Sequence, residues 1–285
     1  MSASIADLIK EKIPSFSKGQ KRIAEAILKD YDKTAYMTAA KLGKTVGVSE
    51  STVVRFANEL GFEGYPEFQR AVQELVRTKL TPNQRIEVTS ARIANGDYLT
   101  CVLNGDIDRI KKTLEEIDRT AFDLAVKAVN TARRVYIFGV RSSSSLASFL
   151  HFNLSMIRDN VKLLQPTSSS EVFEQILDID ENDVLIAISF PRYSRKVVNS
   201  VKYAKNCGAS VIALTDSPLA PLAECATYLL TAQSDMVSFA DSLTAPFSVI
   251  NALLAAVAKE RPEEVKERFD KLEILWDEYS IYAKQ

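Results

Sequence analysis

Between residues 19 and 31, GQKRIAEAILKDY sets Ile23, Ile27 and Tyr31 four apart with Ala24 and Leu28 beside them, which predicts an amphipathic helix with a wide apolar stripe. A second helix is expected over about 38–46, burying Ala39, Leu42 and Val46. Gly47 permits a tight turn and Ser49 is a good N-cap. A third helix then buries Val53, Phe56, Ala57 and Leu60 before Gly61 stops it. YPEFQRAVQELVRTK adds a fourth, with Pro66 in its first turn and Phe68, Val72 and Leu75 on one side. LTPNQRIEVTSARIANGDYLT has turn residues and weak periodicity, and reads as a linker.

After two more helical patterns over about 99–132, the grammar changes to short apolar runs alternating with helices. The runs RVYIFGV (134–140), DVLIAIS (183–189), SVIALTD (210–216) and TYLLTA (227–232) are too apolar to be half-exposed. They predict strands of a parallel sheet covered on both faces. A helix over 195–206, with Val197, Val201 and Ala204 inward, would be one of its crossovers. The expected fold is α/β, a doubly wound parallel sheet flanked by helices and preceded by a small all-α domain. The expected boundaries are 1–80, a linker at 81–98, and 99–285. Two C-terminal seams, Leu243, Phe247, Ile250, Leu254, Val257 and then Val265, Phe269, Leu272, Trp276, Tyr279, could cover the sheet or pair with a second subunit.

Composition narrows the functional classes. The 285 residues are 46% hydrophobic and 26% charged, and no apolar run approaches the ~18 residues of a membrane span, so no membrane partner is expected. MSASIADLIKEKIPSF lacks the pattern of an export signal, which points to the cytoplasm. Three scattered cysteines and one histidine predict no metal site, and no cofactor motif is present: LGKT at 42–45 has Thr38 where a phosphate loop needs its first glycine. Net charge is −1, but residues 1–80 carry 13 Lys/Arg against 10 Asp/Glu. A mildly basic N-terminal part on an acidic body suits a small nucleic-acid module attached to something else, as does chance scatter.

Two helices around a glycine turn, the second with a polar outer face, form the helix-turn-helix layout, whose second helix enters the DNA major groove. The outer set is Glu50, Ser51, Thr52, Arg55 and Asn58. Arg55 can reach a guanine edge or a phosphate, and Ser49, Ser51 and Thr52 can bond phosphates at the helix start. Pattern alone fits a helical hairpin with a solvated face equally well. MTAAKLGKTVGVSESTVVRFANELGFEGYPEFQRAV, followed by the α/β half, resembles the RpiR family of bacterial transcriptional regulators. That resemblance implies an N-terminal DNA-binding domain with Ser51, Thr52 and Arg55 in its recognition helix. It also implies a sugar isomerase (SIS) domain that binds a phosphorylated sugar without turnover.

In an open parallel sheet, ligands sit where loops leave the carboxyl ends of strands. The first such loop, GVRSSSS, offers close approach at Gly139, charge at Arg141, and hydroxyls and N–H groups at Ser142, Ser143 and Ser144; a serine-capped turn without a ligand has the same sequence. The resemblance aligns the second, SFPRYSRK, with the S-x-S-G-x-T phosphate loop usual in SIS domains. Ser189 and Ser194 match, whereas Pro191 and Arg192 replace the middle serine and the glycine. Proline has no N–H to donate, so part of that cradle is missing, while Arg192 and Arg195 add two charges suited to a phosphate or carboxylate. The expected effector is therefore a phosphorylated sugar or, better, a phosphorylated sugar acid.

His151, Glu171 and Glu224 are the candidate acid–base groups of a rival phosphosugar isomerase, and none carries a motif. A protein-docking bundle is a further alternative for the N-terminal helices. The expected partners are double-stranded operator DNA, the effector, and a second copy of the chain in a dimer or tetramer.

Overall fold

Capping and burial define the helices of the N-terminal part in the computed structural model, which describes residues 5–79, 81–92, 96–166, 168, 170–235 and 240–282. The chain forms two compact units, one ending at Gly96 and one taking Asp97–Asp235 and Asp241 onward. The first opens with α1 (Ile5–Lys12) and α2 (Lys18–Lys29). Ser17 starts α2 with a capping box: its hydroxyl accepts from the Gln20 amide, and its own amide donates to the Gln20 side chain at 2.9 Å. Ile23, Ala24 and Ile27 are buried as expected. Tyr31 falls outside α2, in the short α3 (Tyr31–Thr34).

Helices α4 (Ala39–Val46) and α5 (Glu50–Glu59) follow, then α6 (Tyr65–Lys79). Phe56 sits at the centre of this core, with ring centroids 5.0 Å from Phe16 and 5.6 Å from Phe68. Phe68 and Val72 are buried, joined by Tyr65 and Val76, while the side chain of Leu75 lies outside the described residues. Three side chains of α6 hold the segment before α4. The Tyr65 hydroxyl and the Gln69 amide donate to Met37 O at 2.7 and 2.8 Å, and Gln73 donates to Ala35 O at 3.0 Å. The stretch 81–98, expected as a linker, contains the helix α7 (Pro82–Arg92), whose hydrophobic pattern is too weak to announce it.

The second unit begins with α8 (Tyr98–Glu116) and α9 (Arg119–Thr131), each N-capped by an aspartate, Asp97 and Asp118. The Thr100 amide, donating to Asp97, holds that carboxyl below its ordinary range. All four expected strands are present: β1 (Val135–Gly139), β3 (Val184–Ile188), β4 (Ser210–Thr215) and β5 (Tyr228–Thr231), although β5, at a sheet edge, is only half-buried where cover on both faces was expected. A strand not expected from sequence, β2 (Val161–Leu163), adds the edge beside β1. The sheet is wholly parallel in the order β2-β1-β3-β4-β5, with Ile137, Ile186, Ile212 and Tyr228 in register across it.

Alternation along the strands feeds two cores. Val135, Ile137, Ile186, Ile188, Ile212 and Leu214 face α9, α10 (Ser143–Ile157) and α13 (Thr244–Lys259). Tyr136, Phe138, Leu185, Ala187, Val211 and Ala213 face α11 (Glu171–Gln175) and α12 (Arg195–Asn206). Val197, Val201 and Ala204 of α12 point inward as the sequence predicts. The buried face of α13 is broader than its predicted seam: Ala245, Val249 and Leu253 join Ile250 and Val257, leaving Leu243, Phe247 and Leu254 at the margin. The last helix, α14 (Pro262–Glu278), packs Val265 and Phe269 against that core, and Tyr279 is exposed. No helix among the described residues is long and apolar enough to cross a membrane.

Candidate functional site

The N-terminal site is built around two glycines. Gly47, at φ +69°, ends α4 in the left-handed conformation, and its carbonyl accepts from Arg22 at 3.2 Å. Gly43 lets the turn fold back on α4, since a Cβ there would lie 2.8 Å from Val48 O. The Ser49 hydroxyl then caps α5 by accepting from the Thr52 amide at 3.3 Å, and it lies within 2.9 Å of Ser51 Oγ and 2.8 Å of Thr52 Oγ1. Ser49, Ser51, Arg55 and Asn58 are exposed together on the outer side of α5, and Thr52 is half-buried beside them. Arg55 makes one long bond, Nε to Ser51 O at 3.4 Å, so its guanidinium stays near the start of the helix.

The second unit has a topological switch point. Chain order reverses at β1, which has β2 on one side and β3 on the other, so the loops leaving β1 and β3 diverge to opposite faces and open a crevice at the carboxyl edge. Gly139, Arg141, Ser142, Ser143 and Ser144 leave β1 there, and Ser189, Arg192, Ser194 and Arg195 leave β3. A Cβ at Gly139 would meet Ser143 O at 2.6 Å, so glycine is what allows α10 to start this close to the strand. Arg141 adopts φ +58° and is exposed with Ser142 and Ser144. Several expected donors turn inward: the amides of Ser143 and Ser144 donate to Val140 O and Arg141 O, the Ser144 hydroxyl bonds Arg141 O at 2.6 Å, and Ser143 is buried.

In the second loop Ser189 is buried and accepts from the Ser194 amide at 3.3 Å, which draws the start of α12 toward the strand end. Arg192 and Arg195 are exposed. Three groups absent from the sequence-based list join the crevice. Tyr193 donates to Asp216 Oδ1 at 3.0 Å, and Lys196 Nζ donates to Ser168 O at 3.2 Å, tying α12 to the turn before α11. Asp216 directly follows β4, where a turn-forming role accounts for an aspartate equally well, so its sequence carried no distinguishing signal.

The acid–base candidates are not gathered into one centre. His151 is half-buried along α10, Glu171 accepts from the Ser168 amide at the start of α11, and Glu224 is exposed in the turn Ala223–Cys225. Among the described residues no group of three His, Cys, Asp or Glu side chains could hold a metal ion.

A helix-turn-helix unit joined to a parallel-sheet domain with an anion-suited crevice at its switch point defines a ligand-responsive class of transcriptional regulator. Residues 3–79 match the helix-turn-helix domain of the rpiR family and residues 129–256 match the SIS domain, and the chain belongs to that family of regulators. It is 28% identical over 232 residues to an uncharacterized HTH-type transcriptional regulator of Haemophilus influenzae, covering 80% of each chain. The sugar isomerase domain of an RpiR transcription factor from Sphaerobacter thermophilus is 27% identical, with a TM-score of 0.60 over 62% of this chain and 98% of that one. The NanR protein of Vibrio vulnificus, solved with ManNAc-6P, shares the fold over 97% of this chain and 98% of its own, at TM-score 0.61 and 21% identity.

Proposed function

We propose that this regulator binds operator DNA through α5 and that a phosphorylated sugar or sugar acid in the β1/β3 crevice changes its operator affinity. The observation that carries the reading is the placement of Arg141, Arg192 and Arg195 on the two loops that diverge at the switch point. The start of α12 adds helix N-terminal amides to that positive field. The phosphosugar bound by the NanR protein of similar fold supports the ligand class. Arg192 and Arg195 favour an effector with a carboxylate besides its phosphate, because each guanidinium can take an oxyanion with two parallel hydrogen bonds.

On the DNA side, Arg55 reads a base edge or a phosphate, and Ser49, Ser51, Thr52 and Asn58 position the helix on the backbone. A single module with so few cations makes few phosphate contacts. The protein therefore acts as a homo-oligomer, which presents two modules to two half-sites at high effective concentration. The effector acts through a difference in its affinity for DNA-competent and incompetent arrangements.

The test is the thermal-unfolding midpoint of the full-length protein against neutral sugar phosphates, phosphorylated sugar acids and their unphosphorylated counterparts. Binding to the folded state raises the midpoint. The reading expects a rise with phosphorylated compounds only, larger for the acids. No rise with any phosphorylated compound would remove the effector half of the proposal.

A further inference from the structure

Helix α8 is amphipathic in the inverted sense. The residues it turns toward its own unit include Gly105, Asp106, Arg109 and Thr113, of which only Thr113 is buried. Apart from Val102, which is half-buried, its aliphatic residues face outward instead: Leu99 is 71% exposed, Leu103 54%, Ile107 48%, Ile110 37% and Leu114 60%. Hydrogen bonds fix this orientation. The Asp106 carboxylate accepts from Ser242 Oγ at 2.6 Å and Thr244 Oγ1 at 2.9 Å, and Thr113 Oγ1 accepts from the Gln233 amide at 2.9 Å. Rolling the apolar stripe inward would break all three bonds and leave the Ser242, Thr244 and Gln233 groups without these partners, so the stripe stays outside.

We propose that this face of α8 pairs with the same face of a second copy of the chain. The proposal rests on the homo-oligomer reading above and assigns it a surface. Leu103, Ile107, Ile110 and Leu114 follow one another at intervals of four, three and four, the spacing with which one helix seats its side chains between those of another helix carrying the same repeat. A two-fold pair uses one patch twice, so the stripe supplies both sides of the contact.

The size also fits. The five stripe residues leave roughly 100 Å² open each and about 500 Å² in all, beyond the few hundred Å² that a monomer surface rarely exceeds. Doubled across a two-fold axis this is about 1,000 Å², where specific interfaces begin. Lys111 and Glu115, of opposite charge, border the stripe on one side, so two copies meet without a single-sign field.

Ile107 lies near the middle of the stripe and meets its own counterpart whether the helices run parallel or antiparallel. Sedimentation of the full-length protein, as wild type and as Ile107→Asp, reads the interface directly, with circular dichroism to check that the fold is kept. The expected result is an oligomeric wild type whose α8-mediated association is weakened about 30-fold or more by the substitution, the effect of losing a central contact. As a second measurement, Ile107→Cys in a Cys101→Ser background is expected to form a covalent dimer under mild oxidation. An oligomer that survives Ile107→Asp and does not cross-link at position 107 overturns the α8 assignment alone, leaving the face to another part of the chain or to a different protein. A monomeric wild type overturns both this proposal and the oligomer reading.

Discussion

The Tyr193 hydroxyl donates to Asp216 Oδ1 at 3.0 Å, and the same carboxylate oxygen accepts from Thr215 Oγ1 at 3.2 Å. The bond joins the loop after β3 to the end of the neighbouring strand β4, and so fixes one wall of the crevice. Tyr193→Phe removes it without changing the ring. Effector affinity should fall by about threefold to tenfold, the net worth of one hydrogen bond that positions a loop, with little change in the unliganded midpoint. Isothermal titration with the effector found in the thermal panel checks this.

Arg192 and Arg195 should set the preference for acidic effectors. Each charge-assisted contact is worth roughly 1.5–3 kcal/mol, so either substitution by alanine should weaken a phosphorylated sugar acid by about 10- to 100-fold. The neutral-sugar phosphate should lose less. Equal losses for both ligands would mean that the arginines bind the common phosphate and do not read the carboxylate.

Arg55→Ala should cost about 1–3 kcal/mol in specific DNA binding if the guanidinium reads a base. If it holds a phosphate instead, affinity falls evenly across sequences and the salt dependence becomes shallower by about one unit of slope. The exposed side chain makes only a long bond to Ser51 O, so the unfolding midpoint should be unchanged.

Gly43→Ala tests the turn that places α5. The added methyl would sit 2.8 Å from the Val48 carbonyl, a backbone atom that cannot swing away as a side chain would. Destabilisation of the N-terminal unit by about 1–3 kcal/mol is expected in urea unfolding, with weakened DNA binding and an unchanged effector response.

The N-terminal unit should also be sensitive to alkali. Burial pushes the Tyr65 hydroxyl up to about 12, whereas in the unfolded chain it ionises near 10. Its contribution to stability is therefore complete below pH 10 and is lost as pH rises from there through 12. Tyr65→Phe should flatten this alkaline limb, while removing the bond to Met37 O at neutral pH.

The helical turn and four of the five strands were legible because burial on one or both faces writes itself into the sequence. Val53, Phe56 and Leu60 repeat at helical spacing, and VLIAI is apolar throughout because both faces of β3 are covered. Other features were not legible, among them the short helices α1, α3 and α11. Strand β2 is Val-Lys-Leu at a sheet edge, too short and too exposed to stand out. Helix α7 follows Pro82 with mostly polar residues and shows no clear stripe. Helix α8 shows a clear stripe, but periodicity reports only that an apolar face exists. It cannot report that Asp106 and Thr113 are the ones held inward by Ser242, Thr244 and Gln233, more than a hundred residues away.

The candidate site divides the same way. Local chemistry marked Gly139 to Ser144 and Ser189 to Arg195, because glycine, serine and arginine at strand ends are themselves the signal. Asp216 was missed, since its partner Tyr193 comes close only when β3 and β4 pair side by side. Sequence also could not foresee that the Ser143 and Ser144 amides would close onto Val140 and Arg141.

The most direct test of the whole account is the dissociation constant of the full-length protein for an operator duplex, selected from random sequence, measured with and without each compound of the sugar-phosphate panel at fixed salt. The account predicts sequence-specific binding that changes at least about fivefold with one phosphorylated class and not with its unphosphorylated counterpart. Specific binding with the same constant in the presence of every compound would contradict it.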